Sequence, residues 1–128
     1  MRVLLDTCTF LWAIDNPRKL TAVCRNAISD VANEVYLSAV SAWEICIKHK
    51  LGGLTLSEAP DRYVPRQRHR HGFEPLPLDE LSVLQLGRLP SHHRDPFDRM
   101  LICQAIAHGL AIATPDPLIM RYPVRTLW

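Results

Sequence analysis

Residues 95–116 read Asp-Pro-Phe-Asp-Arg-Met-Leu-Ile-Cys-Gln-Ala-Ile-Ala-His-Gly-Leu-Ala-Ile-Ala-Thr-Pro-Asp, and this stretch decides the fold class. Asp95 has N-cap chemistry, because its carboxylate can accept the free amides of a first helical turn. Pro96 suits the first helical position, where no amide hydrogen is needed. Met100, Leu101, Cys103, Ala105, Ile106 and Ala107 give the helix its apolar side, and Gly109 ends it. Leu110 to Ala113 is then a short apolar strand, followed by a turn at Thr114-Pro115-Asp116. A capped helix feeding at once into an all-apolar strand is half of a parallel-sheet unit.

The same alternation extends outward over the whole chain. Val3-Leu4-Leu5 reads as a buried strand ending in Asp6, followed by a short helical piece from Phe10 to Ile14. Thr21 caps a helix to about Ala32, and Val35 to Leu37 forms a second buried strand. Ser38 to Ser41 reads as a turn and Ala42 to Lys50 as a helix, stopped by Gly52-Gly53. Leu56 to Arg70 has helical patterning but is interrupted by Pro60 and Pro65, which predicts a broken helix or two short ones. Phe73 to Leu76 and Val124 to Leu127 are further strand candidates, and Asp79 caps a helix to Leu86 or Arg88. The expectation is an α/β domain with a mainly parallel central sheet. No repeat or linker divides it, so residues 1–128 are expected to form one domain.

Composition is globular, with 48% apolar and 22% charged residues, so disorder is not indicated. The formal charge of +2 says little about partners. Twelve of the fifteen basic residues are arginine, which suits bidentate phosphate contacts but also follows from base composition of a genome. Cys8, Cys24, Cys46 and Cys103 lie in apolar contexts without a C-x-x-C pair, so they read as small buried hydrophobes in a reducing compartment. Asp6 interrupts any signal-like apolar run, and no stretch is long enough to span a bilayer. A cytoplasmic protein without membrane association is expected.

In a parallel sheet, functional residues gather beyond the carboxyl ends of the strands. Asp6 ends the first strand, and Asp116 follows the strand Leu110 to Ala113. Glu44 lies on the helix after the second strand, and Asp98 on the first turn of the helix that feeds Leu110 to Ala113. Converging carboxylates repel, so either their pKa values rise or a divalent cation lies among them. Mg²⁺ and Mn²⁺ prefer such oxygen ligands. A site of that kind activates water and steadies charge on a phosphate in transfer. Each acid also has a plain structural reading. Ser41-Ala-Trp-Glu44 matches a capping box, Asp98 favours a helix dipole, Asp6 can cap a helical turn, and Asp116 suits a turn between prolines.

These residues also carry a family resemblance. Val3-Leu4-Leu5-Asp6-Thr7 with Phe10-Leu11-Trp12 resembles the opening of PIN-domain ribonuclease toxins of the VapC type. Leu37 to Ile45, with Lys48 and Lys50-Leu51-Gly52, resembles their second motif. His93-Arg94-Asp95-Pro96-Phe97-Asp98-Arg99-Met100-Leu101-Ile102 with Gln104-Ala105 resembles the third, and Ala113-Thr114-Pro115-Asp116 the fourth. The ending Tyr122-Pro123-Val124 also fits, whereas Leu56 to Leu78 carries no signature. The resemblance implies a PIN-like three-layer α/β/α fold and a Mg²⁺- or Mn²⁺-dependent endoribonuclease acting on RNA. It also implies the toxin half of a type II toxin–antitoxin pair, a homodimer, and a cognate antitoxin that covers the active site. Asp6, Glu44 and Asp98 match the three central acids of such sites as catalytic and metal-holding residues, and Asp116 matches the fourth. Thr7, Ser38 and Thr114 are expected to orient carboxylates or hold waters. Arg99, with His93 or Arg94, is expected to bring positive charge near the leaving strand.

Other chemistries fit less well. A haloacid-type phosphatase needs a second Asp where Cys8 stands, a phospho-receiver needs a late lysine that does not follow Lys50, and a hydrolase built on Cys8 lacks a motif-placed His. The alternative is a catalytically idle PIN-fold module that works by binding RNA or a partner. His69-Arg70-His71 and His92-His93 lack the spacing of helical metal pairs and read as solvated surface. Arg62, Arg66, Arg68 and Arg70 offer a basic helix face, and Phe10, Leu11 and Trp12 an apolar surface for an antitoxin helix. Trp12 and Trp43 are expected to pack in a core or dimer seam.

Overall fold

Val3, Leu4 and Leu5 are fully buried because their strand, β1 (Arg2–Leu5), lies at the centre of the sheet. The computed structural model describes residues 1–128. Five strands form a sheet in the order β3-β2-β1-β4-β5, with β2 at Glu34–Ser38, β3 at Glu74–Leu76, β4 at Ala111–Ala113 and β5 at Thr126–Leu127. Every pairing is parallel, with Val3 opposite both Val35 and Ala111. Successive strand residues point to opposite faces. Val3, Leu5, Val35, Leu37 and Ala113 therefore join one core cluster, while Leu4 and Ile112 join another.

Helices cover both faces. The first core includes Phe10 of α1 (Thr7–Asp15), Cys24 of α2 (Ala22–Ser29), Ile45 of α3 (Ala39–Lys50) and Tyr63 of α4 (Pro60–Arg70). The second is built around Leu101, Ile102 and Ala105 of α6 (Pro96–His108), against which α5 (Glu80–Gln85) packs. This is the expected three-layer α/β/α arrangement. No helix is long and apolar enough to cross a membrane.

Several local expectations are corrected. Helix α3 begins at Ala39 rather than Ala42, because Ser38 is the cap and its Oγ accepts the Val40 amide at 2.9 Å. The Ser41–Glu44 pair therefore lies inside the helix and is no capping box. Helix α1 runs from Thr7 to Asp15, longer than the Phe10–Ile14 piece, and α2 stops at Ser29. Leu56 to Ala59 are not helical, and α4 is one unbroken helix with Pro65 inside it. Pro60 occupies the first position without loss. The bond missing at Pro65 would reach the carbonyl of Asp61, and both residues are exposed, so that carbonyl is open to solvent. Cys24 and Cys103 are buried as expected, but Cys46 is exposed on α3 and Cys8 is half-buried. Phe10 is wholly buried and adds nothing to a surface.

The strand order reverses between β1 and β4, since β2 and β3 extend one way from β1 while β4 and β5 extend the other. In open parallel sheets that reversal leaves a crevice beyond the strand ends. Asp6 and Thr114 are the residues that immediately follow these two strands.

Candidate active site

The crevice between β1 and β4 is locked by the chain's own polar groups. The Asp6 amide donates to the Ala113 carbonyl at 3.1 Å, and Thr9 Oγ1 donates to the same oxygen at 2.9 Å. Asp6 occupies the N-cap position of α1, yet its side chain caps no amide there. Its carboxylate faces the crevice instead, where Thr114 Oγ1 donates to Oδ2 at 2.6 Å. Cys8 Sγ donates to the same Oδ2 at 3.6 Å. Thr114 Oγ1 also accepts the Asp116 amide at 3.1 Å, so one hydroxyl sets both acids.

Helix α3 delivers Glu44 from its second turn. The carboxylate is only 3% exposed; Oε2 pairs with Lys48, one turn later, and Oε1 has no hydrogen-bond partner. Lys48 itself is exposed and free to swing into solvent. Asp95 caps α6 as expected, accepting the amides of Phe97 at 2.8 Å and Asp98 at 3.4 Å. The cap fixes the first turn and directs Asp98 to the same place. Asp6, Glu44, Asp95, Asp98 and Asp116 thus line one cavity of about 190 Å³, together with Thr7, Cys8 and Lys48.

Burial and crowding act on Asp6 and Asp98 in the same direction. Desolvation raises the Asp6 carboxyl above its ordinary value, the Thr114 hydrogen bond lowers it, and the charge of Glu44 adds to the rise. Asp98 is pushed up to about 7, first by burial and then by the charges of Asp6, Asp95 and Glu44. A divalent cation relieves both effects, and the all-oxygen donor set suits a hard one. Glu44 lines this cavity, and its Oε1 is a desolvated acceptor without a partner, which fits such an ion. A larger hollow of about 570 Å³ opens at the opposite edge of the sheet, but no acid lines it.

Two supporting residues behave differently from expectation. Ser38 caps α3 and donates to Gln104 Oε1, so it orients no carboxylate. Arg99 donates to the Pro90 carbonyl at 2.9 Å and to Tyr122 Oη at 3.3 Å, so it braces a loop instead of facing a substrate strand. Thr7 donates to Ser41 Oγ at 2.9 Å and ties α1 to α3. Trp43 is 54% exposed and meets Phe97 edge to face, with ring centroids 4.8 Å apart. Trp12 packs against Trp128, at 6.0 Å between centroids.

Spacing reads His93 as solvated surface, and the resemblance gives it only a share in positive charge near the leaving strand. It is largely buried, not solvated, with Nε2 2.9 Å from Asp116 Oδ2 and 3.0 Å from Asp98 Oδ2. His93, Asp98 and Asp116 form the tightest group, with candidate ligand atoms all within 4.8 Å of one another. Asp6 and Glu44 share the cavity but lie outside that group. The sequence signal for His93 was its place at the head of the third motif, two residues before the helix cap Asp95.

The family match to the PIN domain spans residues 3–123. This chain belongs to the PIN-domain family. Its match to Ribonuclease VapC16 of Mycobacterium tuberculosis is 46% identical over 104 residues, covering 80% of this chain and 69% of that protein. The PIN fold is shared with solved structures at lower identity. VapBC2 from Rickettsia felis, bound to a DNA fragment from its promoter, aligns with a TM-score of 0.74 at 16% identity over 99% of this chain and 98% of that one. DNA-bound VapBC from Salmonella typhimurium aligns with a TM-score of 0.70 at 19% identity, covering 99% and 97%.

Proposed function

We propose that this PIN domain is a metal-dependent endoribonuclease, the toxin of a type II toxin–antitoxin pair, acting as a single domain in the cytoplasm. The observation that carries the reading is the buried, unpartnered Oε1 of Glu44 in a cavity shared with Asp6 and Asp98. The relative named as a ribonuclease supports the same activity here. Asp6, Glu44 and Asp98 would hold Mg²⁺ or Mn²⁺, with Asp116 at the rim. When bound, the cation supplies a Lewis acid for the scissile phosphate and lowers the pKa of an attacking water. Thr114 holds the Asp6 carboxylate, and the Asp95 cap holds the turn that carries Asp98. Lys48 neutralises Glu44 until a cation takes its place.

The substrate is RNA, and exposed Arg62, Arg66 and Arg70 along α4 offer phosphate contacts. Partners are a cognate antitoxin and a second copy of the chain. Trp43 and Ile47 of α3 and its C-cap Leu51 recur at one-turn intervals and are all exposed, which supports a protein surface covering that face. The likeness to the solved VapBC structures supports the antitoxin reading. The test is cleavage of total bacterial RNA by purified protein with Mg²⁺ or Mn²⁺, with EDTA, and with Asp6→Asn. Discrete fragments that require metal and vanish in the variant are expected. Undiminished cleavage by Asp6→Asn would exclude this site. No cleavage by the folded, metal-loaded protein would favour an idle binding module.

A further inference from the structure

The hydrogen-bonding of His93 is set on both sides of its ring. The Asp95 amide donates to Nδ1 at 3.1 Å, which leaves the ring hydrogen on Nε2. That single hydrogen is shared between Asp116 Oδ2 at 2.9 Å and Asp98 Oδ2 at 3.0 Å. Asp116 is satisfied in turn, because its Oδ1 accepts the Leu118 amide at 2.9 Å. Tyr122 Oη accepts the amides of His92 and His93 at 3.0 and 2.7 Å, which pins the backbone beneath the ring. Asp98 and Asp116 line the acidic cavity, but His93 does not. For Nε2 to ligate a metal, the ring hydrogen must move to Nδ1, where it would oppose the Asp95 N–H.

We infer that Asp116 serves the cation site through His93: Asp116 orients the imidazole, and the imidazole Nε2–H holds Asp98 in register. His93 is then a positioning residue, and Asp116 is not a direct ligand. This inference rests on the reading of the cavity as a cation site. It gives Asp116 a role apart from Asp98, since both oxygens of Asp116 already accept protein hydrogens. Partners standing behind ligands in this way typically change metal affinity by about 10–100-fold when removed.

The experiment uses Mn²⁺ as the probe on the full chain, with affinity measured by calorimetry. His93→Ala and Asp116→Ala are each expected to weaken binding about tenfold. The double variant is expected to weaken it by about the same factor, because both act along one path. His93→Gln keeps a donor near the Nε2 position and is expected to recover most of the loss. Electron spin-echo spectroscopy of the Mn²⁺-loaded wild type is expected to show no directly coordinated nitrogen. A roughly hundredfold, additive loss in the double variant, or a directly bound nitrogen, overturns the inference. If a variant fails to fold, the nitrogen measurement on the wild type decides alone. If the wild type binds no Mn²⁺, the cation reading falls and this inference falls with it. If it binds Mn²⁺ and cleaves RNA but the losses add, only the role of His93 falls.

Discussion

Replacing Asp98 with Asn should stabilise the metal-free protein while disabling its site. The Asp98 carboxyl rises from 3.8 to about 7 because burial and the charges of Asp6, Asp95 and Glu44 disfavour its ionised form. A rise of that size corresponds to an upper figure of about 4 kcal/mol. Part of the carboxylate stays in contact with water, which screens the repulsion, so about 2 kcal/mol is expected. The sign follows from linkage. A carboxyl whose folded pKa is raised destabilises the fold when ionised; the penalty is absent below about pH 4, grows as pH rises, and is complete above about pH 7. Urea denaturation in EDTA at pH 5 and pH 8 should therefore show a wild type that loses stability between them. Asp98→Asn should lose less and be the more stable protein at pH 8, with a melting temperature higher by on the order of 8 °C. Mg²⁺ should stabilise the wild type and leave the variant unchanged. A variant less stable than wild type at pH 8, or one with the same pH slope, would refute the reasoning.

Other outcomes follow from single contacts. Thr114→Val removes the donor to Asp6 and the acceptor for the Asp116 amide. It should lower unfolding free energy by about 1–3 kcal/mol and weaken Mn²⁺ binding, by denaturation and calorimetry respectively. Lys48→Met leaves Glu44 buried without a counter-charge. It should lower stability in chelator by about 1–2 kcal/mol, and added Mg²⁺ should raise the melting temperature more than in wild type. Tyr122→Phe removes the acceptor for two loop amides and a partner of Arg99. Faster hydrogen exchange at His92 and His93 is expected, with a stability loss of about 1–3 kcal/mol.

What was legible in the sequence is local chemistry. The Asp95 cap, Pro96 and Gly109 define α6 without reference to anything distant, and the structure has that helix within the expected bounds. The apolar run at Val3 to Leu5 likewise needs only burial on both faces to become a central strand. The start of α3 was hidden because two serines three residues apart offer the same capping chemistry, and Ser38 takes the role at the end of β2. Helix α4 survives Pro65 because the lost bond faces solvent, a tertiary fact. Placing Asp6, Glu44, Asp98 and Asp116 around one edge required only the rule that parallel strands end together. The pairing of His93 with Asp116 was illegible because the two lie 23 residues apart and meet only in the folded chain. Arg99 misled because its neighbours in sequence are site residues, whereas its guanidinium meets Pro90 and Tyr122.

The most direct test is where a cation sits. Crystals of the protein soaked in Mn²⁺ and measured at the manganese absorption edge should show an anomalous peak inside the acidic cavity, bonded to carboxylate oxygens of Asp6, Glu44 or Asp98 at about 2.0–2.3 Å. A cavity without such a peak at saturating Mn²⁺, in crystals of protein that cleaves RNA, would contradict the account.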